Sequence, residues 1–154
     1  MKTSTFVVTA ADDGGATLQD VHDSQVHTLG AEADFTAGEV VEATIEPEPP
    51  LEVVWQVVEV ESSREIPVAR SPEPPTQQAT DIAADQQPGE VTREERAGTG
   101  EVHVITLPED TDPEGAADDV VADPETLARA ARLGVDRVEV RVGDGLVSVR
   151  YLPD

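Results

Sequence analysis

The chain has 154 residues, 38% of them hydrophobic, and its 33 acidic and 10 basic residues give a net charge of −23. Cysteine is absent, and no apolar run approaches the roughly 18 residues of a membrane-spanning helix. These features exclude a disulfide framework, a thiol nucleophile, a thiolate metal site and a membrane-spanning helix.

The acidity predicts a surface adapted to concentrated salt. Repulsion among so many carboxylates destabilises a compact chain, and at molar salt a Debye length of about 3 Å removes most of that repulsion. A disordered acidic protein is the alternative, but regular valine alternations argue against disorder over most of the chain. The first apolar run, Phe6 to Ala11, is too short for a signal peptide, so we expect a cytoplasmic protein.

Residues 1–66 are predicted to form β structure. Valine, with 23 copies, is the commonest apolar residue, and β-branched side chains favour strands. A strand at TFVVTA precedes Asp-Gly-Gly, a hairpin turn signal, and two short strands flank the Asp23-Ser24 turn. The segment EVVEATIE then places alternate apolar residues, from Val41 to Ile45, on one face of a strand.

The stretch EPEPPLEVVWQVVEVE, residues 46–61, changes its apolar phase. From Leu51 to Val57 the odd positions are apolar, whereas from Val58 the even positions are. A strand with a period of two changes phase only through an extra residue, so the pattern predicts a β-bulge at Val57-Val58. About five short strands with a bulge favour a strongly curled antiparallel sheet or a small barrel, and the oligonucleotide-binding type is the nearest common architecture.

The rest of the chain mixes helices and strands. Four prolines in residues 67–75 predict a stiff, extended linker. A short helix is predicted after Pro75, a loop over 87–100 and a strand at EVHVITL. Two helices follow, one with Asp112 as its N-cap and one that begins after Asp123 and ends at Gly134.

A two-residue turn at Asp144-Gly145 predicts a C-terminal β-hairpin. Its register pairs residues that then share one face: Val142 with Val147, Val140 with Val149, and Val138 with Tyr151. The fold class is therefore α+β, with an antiparallel β module at 1–66, a proline-rich linker at 67–75, and a small α/β module at 76–154 that ends in the hairpin.

Trp55 is the first candidate binding residue. An exposed tryptophan stacks on a base or anchors a peptide, whereas one in the middle of an apolar strand face usually belongs to the core. Trp55 shares its predicted face with Leu51, Val53 and Val57, which favours the core.

Three arginines of the hairpin, Arg137, Arg141 and Arg150, form the second candidate, a patch for phosphate or an acidic partner. The same register sets Glu139 opposite Arg150, which favours charge compensation within the sheet. Nucleic acid binding is disfavoured further because concentrated salt removes most of the counterion-release driving force.

No motif indicates a cofactor, a metal or a catalytic group. His22 and His27 lie near two aspartates, but their spacing is not diagnostic of a metal site. The segment DTDPEG lacks the glutamate that closes a calcium loop, and GTGEVH lacks the third glycine of a dinucleotide loop. With 33 acidic residues no particular catalytic pair of carboxylates stands out. We therefore assign no catalytic residue, metal or cofactor.

The segments STFVVTAADDGGATLQDVHDSQVHTL, EPEPPLEVVW, ERAGTGEVHVITLP and LARAARLGVDRVEVR carry a resemblance over most of the chain. The sequence resembles an uncharacterised protein family of halophilic archaea. The resemblance implies a cytoplasmic location in a salt-accumulating cell, but no activity and no functional residues.

These observations favour a non-catalytic binding or interaction protein with a protein partner. The alternatives are a single-stranded nucleic-acid (RNA) binding module and an enzyme of unrecognised class. The sequence does not identify the ligand, the strand order of the N-terminal module or the oligomeric state.

Overall fold

A computed structural model describes residues 1–12, 14–30, 34–50, 53–95 and 100–153. Within these ranges no helix has both the length and the apolar character needed to cross a membrane. The chain divides into two compact units. Unit 1 comprises Met1–Ile66 with Leu127–Arg132, and unit 2 comprises Pro67–Thr126 with Leu133–Asp154.

Unit 1 contains five strands. They are β1 (Lys2–Asp12), β2 (Gly15–Asp20), β3 (Val26–Leu29), β4 (Val40–Pro47) and β5 (Trp55–Arg64). They close a barrel in the order β1-β2-β3-β5-β4, in which β3 and β5 run parallel and the other neighbours antiparallel. The small barrel predicted from the sequence is confirmed.

The interior of the barrel is apolar because each strand turns alternate residues inward. The buried residues of this core are Phe6, Val8, Ala16, Leu18, Leu29, Val41, Ala43 and Ile45. Gly15, at φ 133°, starts β2 where a Cβ atom would lie 2.2 Å from the carbonyl oxygen of Leu29. Only glycine lets the two backbones approach so closely at this point of the barrel.

Strand β5 contains the predicted β-bulge. Thr44 pairs with Glu59 and Ile45 pairs with Val57, so Val58 is the extra residue. A second irregularity makes Glu61 extra, because Glu42 pairs with Ser62 and Ala43 with Val60. Bulges bend a strand and increase its twist, which fits a strand that curls around a small barrel.

Unit 2 is built on a five-stranded sheet of order β6-β9-β10-β8-β7. Its elements are β6 (Val68–Arg70), α1 (Gln77–Ala84), β7 (Val91–Glu95), β8 (Glu101–Thr106), α2 (Pro113–Ala122), β9 (Arg137–Gly143) and β10 (Leu146–Leu152). A third helix, α3 (Pro124–Leu133), has residues in both units. Helix α1 packs on β8 and β10, and α2 packs on β6, β9 and β10.

The C-terminal hairpin has the predicted register. Val147 pairs with Val142, Val149 with Val140, and Tyr151 with Val138. The helices also begin where their capping residues predicted: the side chain of Asp112 accepts a hydrogen bond from the backbone N–H of Glu114, and that of Asp123 accepts one from Glu125.

Three details differ from the sequence-based predictions. The predicted loop over 87–100 contains β7, which pairs with β8 as an edge strand, and the predicted linker over 67–75 contains β6, which pairs in parallel with β9. Pairing with β9 stabilises β6, and pairing with β8 stabilises β7. A local alternation of apolar residues does not account for either strand. Val53 lies outside β5 and is 73% exposed, and Leu51, predicted on the same face, lies outside the described residues. The division into independent domains stays a prediction.

Candidate functional site

The barrel is closed by strands of very different length. Strand β5 has ten residues and β3 has four, and in the described part of the chain the two pair at Leu29 with Trp55. From Gln56 to Ser63, β5 pairs with β4 on one side. In the described ranges no strand pairs with its other side over these residues. We call the segment from Gln56 to Ser63 the β5 edge.

The β5 edge is apolar and exposed. Val58 is 48% exposed and Val60 is 44% exposed. An unpaired edge offers backbone N–H and C=O groups in a row and is a template for pairing with another strand. Exposed valines beside such a row add apolar surface that a further strand would cover.

The phase of the edge connects it to the barrel core. Val60 pairs with Ala43, and Val57 pairs with Ile45. Ala43 and Ile45 are fully buried, and residues directly opposite in a sheet share a face. A strand added beside β5 would therefore extend the same apolar layer over Val57 and Val60.

Two carboxylates lie on the edge. Glu59 and Glu61 are exposed, and no hydrogen bond or ion pair with any residue described in the structure engages either one. The edge therefore combines apolar side chains, accessible backbone and negative charge that the surrounding protein does not balance.

Trp55 is the first residue of β5, directly before the β5 edge, and packs against the barrel core. Its ring centroid is 4.4 Å from that of His27, with the planes inclined at 68°, and His27 in turn lies edge-on to Phe6. This is the packing that the sequence favoured over an exposed stacking platform. A role for Trp55 in binding stays a prediction.

A polar cluster adjoins this aromatic group. The ammonium of Lys2 donates to Nε2 of His27 at 3.0 Å and lies 3.1 Å from Asp20 and 2.9 Å from Asp23. Burial lowers the pKa of His27, and the positive charge of Lys2 lowers it further. Burial acts to raise the pKa of Asp20, but hydrogen bonds from the backbone of His22 and from Lys2 hold it below its ordinary value. The charges of this cluster are thus paired with one another, and the contacts of Lys2 link the start of β1 to the β2–β3 turn.

The three arginines of the hairpin converge on one carboxylate. Arg137 donates to Glu139 at 2.9 Å, Arg141 also donates to it, and Arg150 lies 3.5 Å away. Arg141 forms a second ion pair with Glu73, at 2.7 Å. Burial acts to raise the pKa of Glu139, but these guanidinium groups hold it below its ordinary value. The structure thus shows the predicted pairing of Glu139 with Arg150, and a role for these arginines in binding stays a prediction.

Unit 2 also has a cavity of about 300 Å³ whose wall includes Ile82, Val102, Glu94 and Arg150. Its size is at the lower limit for small-molecule sites. Among the residues that the structure describes, no group of three or more histidine, cysteine, aspartate or glutamate side chains is arranged to hold a metal ion.

The sequence identified part of this geometry. The phase change at Val57-Val58 predicted the bulge, but it did not show that Val58 and Val60 are exposed. The signal that was available is the presence of valines in both phases, among acidic residues. A strand with one buried face does not place valines in both phases.

Comparison with known families places the chain. A family of unknown function, DUF5812, matches residues 2–142. The chain belongs to that family. The function of the family is unknown. No curated protein and no solved structure matches the chain.

His27 predicts a pH dependence of stability. In the folded chain its pKa lies below the ordinary value of 6.5, so the unfolded chain binds more protons as the pH falls from about 7 to about 5, and the free energy of unfolding decreases. Urea unfolding followed by Trp55 fluorescence should show this decrease in the natural chain and lose most of it in His27→Gln. His22→Gln, which alters an exposed imidazole, should keep it. Equal slopes for His27→Gln and the natural chain would contradict the assignment.

Proposed function

We propose that this protein is a non-catalytic interaction protein that binds an extended segment of a partner protein along the β5 edge. The observation that carries the proposal is the exposure of Val58 and Val60 on a stretch of β5 that, among the described residues, pairs only with β4. Addition of a strand to an exposed sheet edge is a common mode of peptide recognition, in which backbone hydrogen bonds give affinity and alternate side chains give specificity.

A second copy of the chain is a poor occupant of this edge. Pairing two β5 edges would bring Glu59 and Glu61 of one copy near the same carboxylates of the other. Like charges across a strand pair are destabilising. Bulges and charges on an edge are devices by which proteins avoid pairing with themselves, and β5 has both.

Binding of single-stranded nucleic acid is supported less well. Five-stranded barrels of the oligonucleotide-binding type bind such ligands, and unit 1 contains a five-stranded barrel. However, residues 1–66 contain 14 acidic and 2 basic residues, so the barrel repels a polyanion. The arginines proposed as a phosphate patch already contact carboxylates of their own unit.

We further propose that the protein works in the cytoplasm of a salt-accumulating archaeon. The net charge of −23 supports this, because repulsion among carboxylates is relieved by concentrated cations. The midpoint of urea unfolding, followed by Trp55 fluorescence, should rise as KCl increases from about 0.2 M to about 2 M. Full stability at low salt with no gain from KCl would contradict the proposal.

Strand addition is tested with a peptide and a matched pair of variants. A ten-residue peptide of alternating valine and serine should shift the Trp55 emission, because it covers Val57, which packs against the same core as Trp55. Val60→Glu should weaken binding about tenfold or more, since it places a charge under the added strand. Ala122→Glu, which adds the same charge at an exposed residue of helix α2, should leave binding unchanged.

The same peptide with alternate backbone nitrogens methylated should not bind, because it cannot donate to the edge. The proposal fails if the methylated peptide binds as well as the parent, if Val60→Glu and Ala122→Glu act alike, or if no peptide binds at millimolar concentration.

A further inference from the structure

We infer that the partner segment is cationic, with apolar side chains alternating with arginine or lysine. This inference rests on the proposed function and specifies the partner at the same β5 edge. It is carried by the charges on the outer face of β4 and β5, together with the phase of the exposed valines.

The outer face of this strand pair is acidic. Glu42, Glu46 and Glu59 lie in the phase opposite to that of the buried Ala43 and Ile45, so they point away from the barrel interior. Glu61 is the extra residue of the second bulge and is exposed as well.

The neighbours of these carboxylates do not neutralise them. Gln56 donates to Glu46 at 2.9 Å, and Ser62 donates to Glu42 at 3.1 Å; both donors are uncharged. Glu59 and Glu61 contact no cation in the part of the chain that the structure describes. The negative charge beside the edge is therefore available to a partner.

Strand geometry sets the pattern of that partner. Side chains on one face of an added strand would cover Val57 and Val60, and those on the other face would lie beside Glu59. Opposite charges on neighbouring strands attract at this distance, and like charges repel. A strand in which apolar and basic residues alternate can therefore make apolar contacts with Val57 and Val60 and ionic contacts with Glu59. A strand in which apolar and acidic residues alternate makes the apolar contacts but is repelled by Glu59.

The experiment compares three ten-residue peptides in which valine alternates with arginine, with serine or with glutamate. At the lowest KCl concentration that keeps Trp55 emission folded-like, the arginine peptide should bind about tenfold more tightly than the serine peptide, and the glutamate peptide more weakly. Raising KCl to about 2 M should narrow this difference without abolishing it, because salt screens distant charges strongly but charges in contact with a partner much less.

Matched variants locate the charges. The double variant Glu59→Gln with Glu61→Gln should abolish the preference for arginine and leave the affinity for the serine peptide unchanged. Glu109→Gln with Asp110→Asn removes the same charge from exposed residues of unit 2 and should keep the preference. A loss of preference in both double variants would show that net charge, rather than the edge, attracts the peptide, and would overturn the inference.

The remaining outcomes separate this inference from the proposed function. If the three peptides bind equally and the methylated peptide does not, strand addition stands and the cationic partner is wrong. If none binds, the proposed function itself fails. If sedimentation shows a dimer that Val60→Glu dissociates, the occupant is a second copy and the inference is overturned.

Discussion

The architecture of unit 1 is set by the pair between Leu29 and Trp55, which links β3 to β5 in the described part of the chain. This pair closes the barrel, and the described residues of β3 make no further pair with β5. Within the described ranges, the side of β5 that faces away from β4 is therefore unpaired from Gln56 to Ser63. Phe6, Leu18 and Ile45 form part of the buried core inside the barrel. Val58 and Val60, on β5, remain exposed.

Charge compensation distinguishes this edge from the other candidate surfaces. In unit 2 the arginines of the hairpin are held by Glu139 and Glu73, and in unit 1 Lys2 is held by Asp20 and Asp23. Charged side chains that already form ion pairs within the protein contribute less to the binding of a charged ligand. The carboxylates of the β5 edge lack such partners in the described structure, so their charge can attract a cationic ligand.

The features that could be predicted from the sequence are local ones. Asp144-Gly145 forms a turn, and the register of the hairpin follows from it. Asp112 and Asp123 each precede a proline at the first helical position, and each caps its helix. Strands β6 and β7 were missed because pairing partners distant in sequence hold them. The β5 edge was missed for the same reason, since the alternation around Trp55 cannot show that β3 ends after Leu29.

Amide hydrogen exchange along β5, measured residue by residue, shows whether the β5 edge is open. In the isolated chain the amides of Gln56 to Ser63 that do not donate to β4 should exchange rapidly, and the valine–arginine peptide should slow their exchange while amides of β10, at the centre of the other sheet, keep their rates. Slow exchange of every β5 amide in the isolated chain would show that the edge is already covered, and would contradict the account.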